Sequence, residues 1–187
     1  MRSLDIEETG KGLSLRFEEK TLQVPLAGTH NATNILLAVL IARNLGMGME
    51  EIKQRLGNFS AFERTFQRRE EHGIVILDNT YNASVESFLA GIEWAKKQSA
   101  KEKVLLCDGI IELGDDEERL HRELSESAAN IFTKAYVLHA RFLPYFRPAF
   151  GDRVSLALKN TTPLEAGTLL VCMGRMPETV IRRFVSK

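Results

Sequence analysis

GIVILDNTYNASVESFLAGIEWAKK, residues 73–97, is the stretch whose reading decides the fold. Ile74, Val75, Ile76 and Leu77 form an unbroken aliphatic run, the pattern of a strand buried on both faces. Phe88, Leu89, Ile92 and Ala95 recur at helical spacing, so the next segment is a helix with one apolar side. Between them lies a polar loop, Asp78 to Ser84. A doubly buried strand leading into an amphipathic helix is the repeating unit of a parallel α/β sheet. In open sheets of this kind ligands bind at the carboxyl ends of the strands, which makes this loop the first candidate site.

Downstream, the same plan repeats. KVLLCD (103–108) reads as a second buried strand, followed by the loop GIIELGDD and a helix over about 116–132 whose buried face carries Leu120, Leu124, Ala128 and Ile131. Asp115, Asp116, Glu117 and Glu118 suit the positive end of that helix dipole. A hard-cation site from Asp108, Glu112 and Asp115 is the alternative use of these acids. His121 follows Leu120 and is expected at the edge of the buried face, making a hydrogen bond. KAYVLH (134–139), RVSLAL (153–158) and TLLVCM (168–173) read as three more strands, with a helical or irregular piece over 142–150 broken by Pro144 and Pro148. A closing helix over 177–185 starts on Pro177, a permitted first-turn position. The alternation predicts an α/β fold with a mainly parallel sheet and flanking helices.

Upstream, LSLRFEEKTLQVPL has the alternation of a hairpin, with Leu13, Leu15 and Phe17 on one arm and Leu22, Val24 and Leu26 on the other. An isolated hairpin is marginal in water, so this one is expected to join something larger. A helix runs from about Gly28 to Leu45 and stops at Gly46; a shorter one spans 49–56 and ends at Gly57. Asn31 and Asn34 project from neighbouring positions at the start of the first helix. One Asn is explained as a helix cap; the second has a two-sided amide able to read a nucleobase edge. NFSAFERTFQRREE is a polar connection whose Arg64, Arg68 and Arg69 either form a solvated face or supply a guanidinium fork for phosphate or carboxylate.

Composition removes several classes. Lys plus Arg equals Asp plus Glu, at 25 each, and no basic stripe interleaves with aromatics, so no nucleic acid partner is expected. The longest strongly apolar run, Ile35 to Ala42, is far short of the roughly 20 residues that span a bilayer, so no membrane partner is expected. Cys107 and Cys172 sit in aliphatic runs as buried reduced thiols, and with no visible signal peptide a cytoplasmic protein is expected. The sequence contains no Walker loop, no dinucleotide glycine fingerprint, no nucleophile elbow and no zinc-spaced Cys/His set.

GTHNATNILLAVLIARNLGM resembles the G-x-H-N-x-x-N-x-x-A-A helix of the Mur ligases. Together with ILDNTYNASVES and LLCDGIIELGDDEERLHREL it is similar to the family's D-alanyl-D-alanine-adding members, which carry D-D-S-Y-N-A-N-P, then G-D-M-x-E-L-G, then a helix with L-H-R. The resemblance implies residues 1–57 as the end of a central ATP-binding domain, 58–70 as a linker and 71–187 as the dinucleotide-fold-like C-terminal domain. The missing N-terminal and central domains would carry the phosphate loop, the Mg ligands and the catalytic lysine, leaving no catalytic residue and no metal ligand in this chain, and the chain alone inactive. In such ligases ATP phosphorylates a substrate carboxylate and an amine attacks the acyl phosphate, so the implied partners are ATP with Mg, a UDP-N-acetylmuramoyl peptide and D-alanyl-D-alanine. By matching positions, His30, Asn31 and Asn34 would contact adenine, Arg64 would reach the nucleotide, and Asp78 and Asn79 would lie at the ribose. Tyr81, Asn82 and Ser84 would lie beside the incoming amino component.

Departures from the family pattern fall at these positions. The second acid of the D-D pair is Asn79; Cys107 and Asp108 stand for G-D, with one extra residue before Glu112; Cys172, Met173 and Gly174 replace K-G-S; and Glu63 stands for a glycine. They leave open a ligase for another amino acid or a non-catalytic binding module.

Overall fold

The computed structural model describes residues 5–9, 12–17, 19–26, 28–29, 31–59, 62–158 and 161–186. The chain divides into two compact units, Met1–Phe62 and Glu63–Lys187. Among the described residues no helix is long and apolar enough to cross a membrane.

In the first unit β1 (Ile6–Thr9), β2 (Gly12–Phe17) and β3 (Lys20–Val24) form an antiparallel sheet in sequence order. The expected hairpin is β2–β3: Leu13 pairs with Val24 and Leu15 with Leu22, all four buried. The sequence of β1, IEET, has no apolar alternation; it is an exposed edge added to that hairpin. Helices α1 (Asn31–Asn44) and α2 (Met49–Gly57) close the core with Ala32, Ile35, Val39, Ile52 and Leu56. Helix α1 is apolar on its other side as well: Leu37, Leu40 and Ile41, with Leu45 just past its end, are 52–81% exposed. Ile41 and Leu45, with Ala38, Ala42 and Met47, line an open groove of about 550 Å³.

The second unit is a six-stranded sheet in the order β4 (Gln67–Glu71), β5 (Ile74–Asn79), β9 (Thr168–Met173), β6 (Glu102–Cys107), β7 (Lys134–Val137), β8 (Val154–Leu156). All neighbours are parallel except β4 and β5. The expected linker 58–70 thus gives most of its last residues to an edge strand. QRREE carries no apolar signal, and charges on an edge are what keep it from pairing with another chain. The two-residue turn from β4 to β5 places His72 at φ 50° and Gly73 at φ 74°, the double positive φ of a tight hairpin.

The buried runs alternate between faces as the period of two requires. Ile74, Ile76, Val104, Leu106, Leu170 and Cys172 face Val180, Ile181, Phe184 and Val185 of α6 (Glu178–Val185). The other face is covered by α3 (Val85–Lys97), α4 (Glu117–Ala129) and α5 (Leu143–Phe150). Gly91 lets α3 lie close on the central strand: a Cβ there would come within 3.0 Å of the Met173 side chain. Phe184 is fully buried and meets Tyr136 edge-on at 4.8 Å. Phe184→Ala is expected to lower stability by about 3–5 kcal/mol through lost burial and a cavity under the sheet. A shift of the urea midpoint corresponding to less than about 1 kcal/mol would show that this face repacks freely.

Candidate functional site

The parallel strands end on one edge of the sheet, where four connections emerge: Thr80–Ser84 after β5, Gly174–Pro177 after β9, Asp108–Leu113 after β6 and Leu138–His139 after β7. Antiparallel β4 starts at the same edge, since Gln67 pairs with Asp78, so Arg64 and Phe66 arrive beside the end of β5.

Arg64 ties this edge together. Its backbone is left-handed, φ 63°, and its Nε donates to Thr80 Oγ1 at 3.0 Å. One Nη donates to the Thr80 carbonyl at 3.2 Å and also to the Met176 carbonyl. The Tyr81 N–H returns a bond to the Arg64 carbonyl at 3.0 Å. Asp78 is fully buried: one carboxylate oxygen accepts from the Thr80 N–H at 3.2 Å and from the Thr80 hydroxyl at 2.6 Å. Its second oxygen lies 3.4 Å from an Arg69 Nη, beyond good hydrogen-bond geometry, and is without a hydrogen-bond partner. Arg69 makes its close pair with Glu178 at 2.8 Å. Asn79 accepts from the Phe66 N–H at 3.1 Å and donates to Ser87 Oγ at 3.1 Å.

Arg64, Asp78 and Asn79, expected from the family pattern to meet the nucleotide, are therefore brought together, and apart from the second Asp78 oxygen they are engaged by Thr80, Phe66, Ser87 and the backbone after β9. The loop they hold is open to solvent. Tyr81 is 57% exposed and Asn82 is exposed. Ser84 is the N-cap of α3, accepting from the Ser87 N–H at 3.2 Å while its own N–H donates to Ser87 Oγ at 2.9 Å. Asn31 and Asn34 both lie on α1 of the first unit, Asn31 partly buried and Asn34 exposed. His30 falls outside the described residues.

On the β6 side, the Asp108 N–H donates to the Met173 carbonyl at 2.8 Å, and both carboxylate oxygens lie 2.8–2.9 Å from His139 Nδ1. The acids considered as cation ligands do not converge: among the described residues no cluster of three or more His, Cys, Asp or Glu could hold a metal ion. Burial pushes the Cys107 and Cys172 thiols up, which makes both poor nucleophiles. Arg175 was not singled out in the sequence, although only Gly174 separates it from the strand TLLVCM. It is exposed beside Gly174, whose φ of 91° and close approach to the Asp108 carbonyl (2.7 Å from an ideal Cβ) exclude a side chain there.

No family model matches the chain. A UDP-N-acetylmuramoyl-tripeptide–D-alanyl-D-alanine ligase from Synechocystis is 30% identical over 182 residues, covering 89% of this chain and 39% of the relative. The structure of MurF from Acinetobacter baumannii superposes with a TM-score of 0.80 at 20% identity, over 98% of this chain and 44% of that one. That of MurF from Thermotoga maritima in complex with ADP gives 0.72 at 22% identity, over 97% and 44%.

The chain belongs to the Mur ligase family.

It spans less than half the length of these Mur ligases. Against the Mur ligase D-D pattern, Asn79 is a neutral residue whose amide satisfies one donor and one acceptor at a 2% exposed position. Asn79→Asp keeps the acceptor for Phe66 but buries a second carboxylate beside Asp78. Burial and that neighbour raise the introduced group's pKa in the folded state above the unfolded value of about 3.9. The folded state then holds its proton more tightly than the unfolded chain. The destabilisation is thus smallest below about pH 4 and grows as pH rises through the folded pKa, reaching about 1–3 kcal/mol near neutrality. Urea unfolding of both proteins from pH 4 to 8 measures it; a penalty independent of pH would refute the account.

Proposed function

We propose that this chain is the nucleotide-closing and amine-binding part of an ATP-dependent ligase of peptidoglycan precursor synthesis, one that joins D-alanyl-D-alanine to a UDP-N-acetylmuramoyl peptide. The observation that carries this reading is the 30% identity over 89% of the chain to a ligase of that name. The carboxyl edge fits it chemically: an exposed Tyr81–Asn82 loop held on a locked base, with an exposed cation, Arg175, beside it. A dipeptide with a free amine and a carboxylate needs polar loop groups and a cation of this kind, and a guanidinium offers a paired fork to the carboxylate. Asn31 and Asn34, at the first turn of α1, are the adenine contacts in this reading.

Helix α1 supports the further point that the first unit is part of a larger ATP-binding domain. A helix apolar on both sides is one that a larger protein encloses, and the exposed Leu37, Leu40 and Ile41 make α1 such a helix. The phosphate loop, the Mg ligands and the catalytic lysine then belong to the portion of the relatives that this chain does not span. Arg64, Asp78 and Asn79, joined at the end of β5, support the amine loop from beneath and are the nucleotide contacts of this unit in the same reading.

A Mur ligase for another amino acid is the second reading, favoured by a 35% identity over 102 residues to a UDP-N-acetylmuramate–L-alanine ligase from Cereibacter sphaeroides.

The purified chain is expected to show no ATP turnover with Mg. In a version extended with the remaining domains, Arg175→Ala should raise KM for D-alanyl-D-alanine by about tenfold and leave KM for ATP within about twofold. ATP turnover by the chain alone would overturn the partial-enzyme reading. A preference for L-alanine over the dipeptide would establish the second reading instead.

A further inference from the structure

The loop after β6 is fixed from below by a buried histidine that none of the roles above uses. His121 is 1% exposed on α4, and both of its ring nitrogens are engaged. Nε2 accepts from the Ile110 N–H at 2.9 Å; Nδ1 lies 2.6 Å from the Glu117 carbonyl, an acceptor. An N–H on one side and a carbonyl on the other require a single form of the ring, neutral with its proton on Nδ1. The ring stacks on Phe142 at 4.9 Å and lies 5.6 Å from Tyr145. Phe142 in turn covers Gly109, where any Cβ would collide with its ring. Gly109 and Ile110 are thereby pinned from the aromatic layer and from the imidazole.

The pinned segment leads into Ile111, 42% exposed, and Glu112, an exposed carboxylate at φ 67°. A non-glycine residue in the left-handed region is a local strain that its surroundings must enforce. Glu112 makes no hydrogen bond or ion pair among the described residues, whereas the neighbouring Glu117 is engaged by Arg141 at 3.1 Å. The loop thus displays an unpaired carboxylate on the edge that also carries Tyr81, Asn82 and Arg175.

We propose that His121 is the positioning residue of this loop, its neutral Nε2 holding the Ile110 N–H so that Glu112 stands ready for the ammonium group of the incoming amino component. The proposal rests on the ligase reading for the identity of that ligand. Glu112 and Arg175 would then take the two ends of a zwitterion. The groups facing the ring are Glu117 and its carbonyl, Asp108, Arg141 and Tyr145. Desolvation, the largest influence, keeps the imidazole below its ordinary value of 6.5 despite the two carboxylates. The neutral form is therefore kept across the neutral range, and the loop is released only as pH falls below 6.5 and the ring gains a second proton.

The test uses the 187-residue chain, labelled for NMR, with D-alanyl-D-alanine and its N-acetylated form as probes. The His121 ring nitrogens should report the Nδ1–H tautomer at pH 7.5. The free dipeptide should shift the Ile110–Glu112 amides, the N-acetylated one should not, and Glu112→Gln should remove the effect. His121→Asn, whose side chain is too short to place its amide oxygen at the Nε2 position, should weaken dipeptide binding and speed Ile110 amide exchange by about tenfold, and His121→Gln, which restores an acceptor at that reach, should recover both. The Ile76 and Leu170 amides should stay unchanged in every variant. The opposite tautomer, an imidazolium, or equal loss in the asparagine and glutamine variants would overturn the proposal. Dipeptide shifts at Tyr81 and Asn82 but not at 110–112 would overturn it while leaving the ligase reading intact; shifts at neither loop would sink that reading and the proposal's ligand with it.

Discussion

The last strand of the chain fills the centre of the sheet, and the candidate site depends on that placement. Strand β9 pairs with β5 on one side and β6 on the other, and all six of its residues are buried. Until it inserts, β5 and β6 have no neighbour between them, and the edge that carries the loops does not exist. The clamp by Arg64 follows the same logic: it joins the segment leading into β4 to the Met176 carbonyl, 112 positions away. Non-local pairings of this kind form late because loop-closure entropy precedes their reward. A ligand surface at this edge is thus a property of the completed sheet and of no shorter segment.

Once assembled, the edge separates supporting polar groups from displayed ones. Asp78, Asn79 and Thr80 are each at most 2% exposed, and each finds partners within the unit. Backbone N–H and C=O groups in connections must be satisfied wherever water is excluded, and here side chains do that work. The residues left outward, Tyr81, Asn82, Glu112 and Arg175, stand on loops whose roots are fixed. Recognition groups on a held base lose less conformational freedom when a ligand arrives.

The strands of the parallel sheet and the helices between them were legible in the sequence because doubly buried strands leave uninterrupted aliphatic runs. The GIVILDN segment and TLLVCM are examples. Two edge strands were not legible: IEET and QRREE pair on one side only and need no apolar residues, so they carry no periodic signal. The position of the candidate loop was legible from the strand-loop-helix order, while the engagement of Asp78 and Asn79 was not. Their partners, Thr80 apart, come from other elements, at Phe66, Arg69 and Ser87, and nothing in local sequence announces such pairings. His121 illustrates the same limit, since its apolar neighbours on α4 place it near the buried face but cannot report that Ile110 and Phe142 arrive against it.

The departures from the Mur ligase pattern also make physical sense together. Where the family carries K-G-S, this chain has Cys172, Met173 and Gly174, and the structure explains why a lysine would be costly at the first of these positions. Cys172 is fully buried in the apolar layer against α6, facing Ile181 and Phe184. An ammonium there would be stripped of water, a cost that grows with every polar partner the apolar layer against α6 fails to supply. A cation returns at Arg175, after Gly174 has brought the chain tightly past the Asp108 carbonyl and out of the sheet. At Asn79 the change runs the other way, from a charged to a neutral buried group, and the amide supplies both bonds that its position asks for. Both of these replacements, at Cys172 and at Asn79, lower the charge buried beneath the edge, while exposed charge persists above it at Glu112 and Arg175.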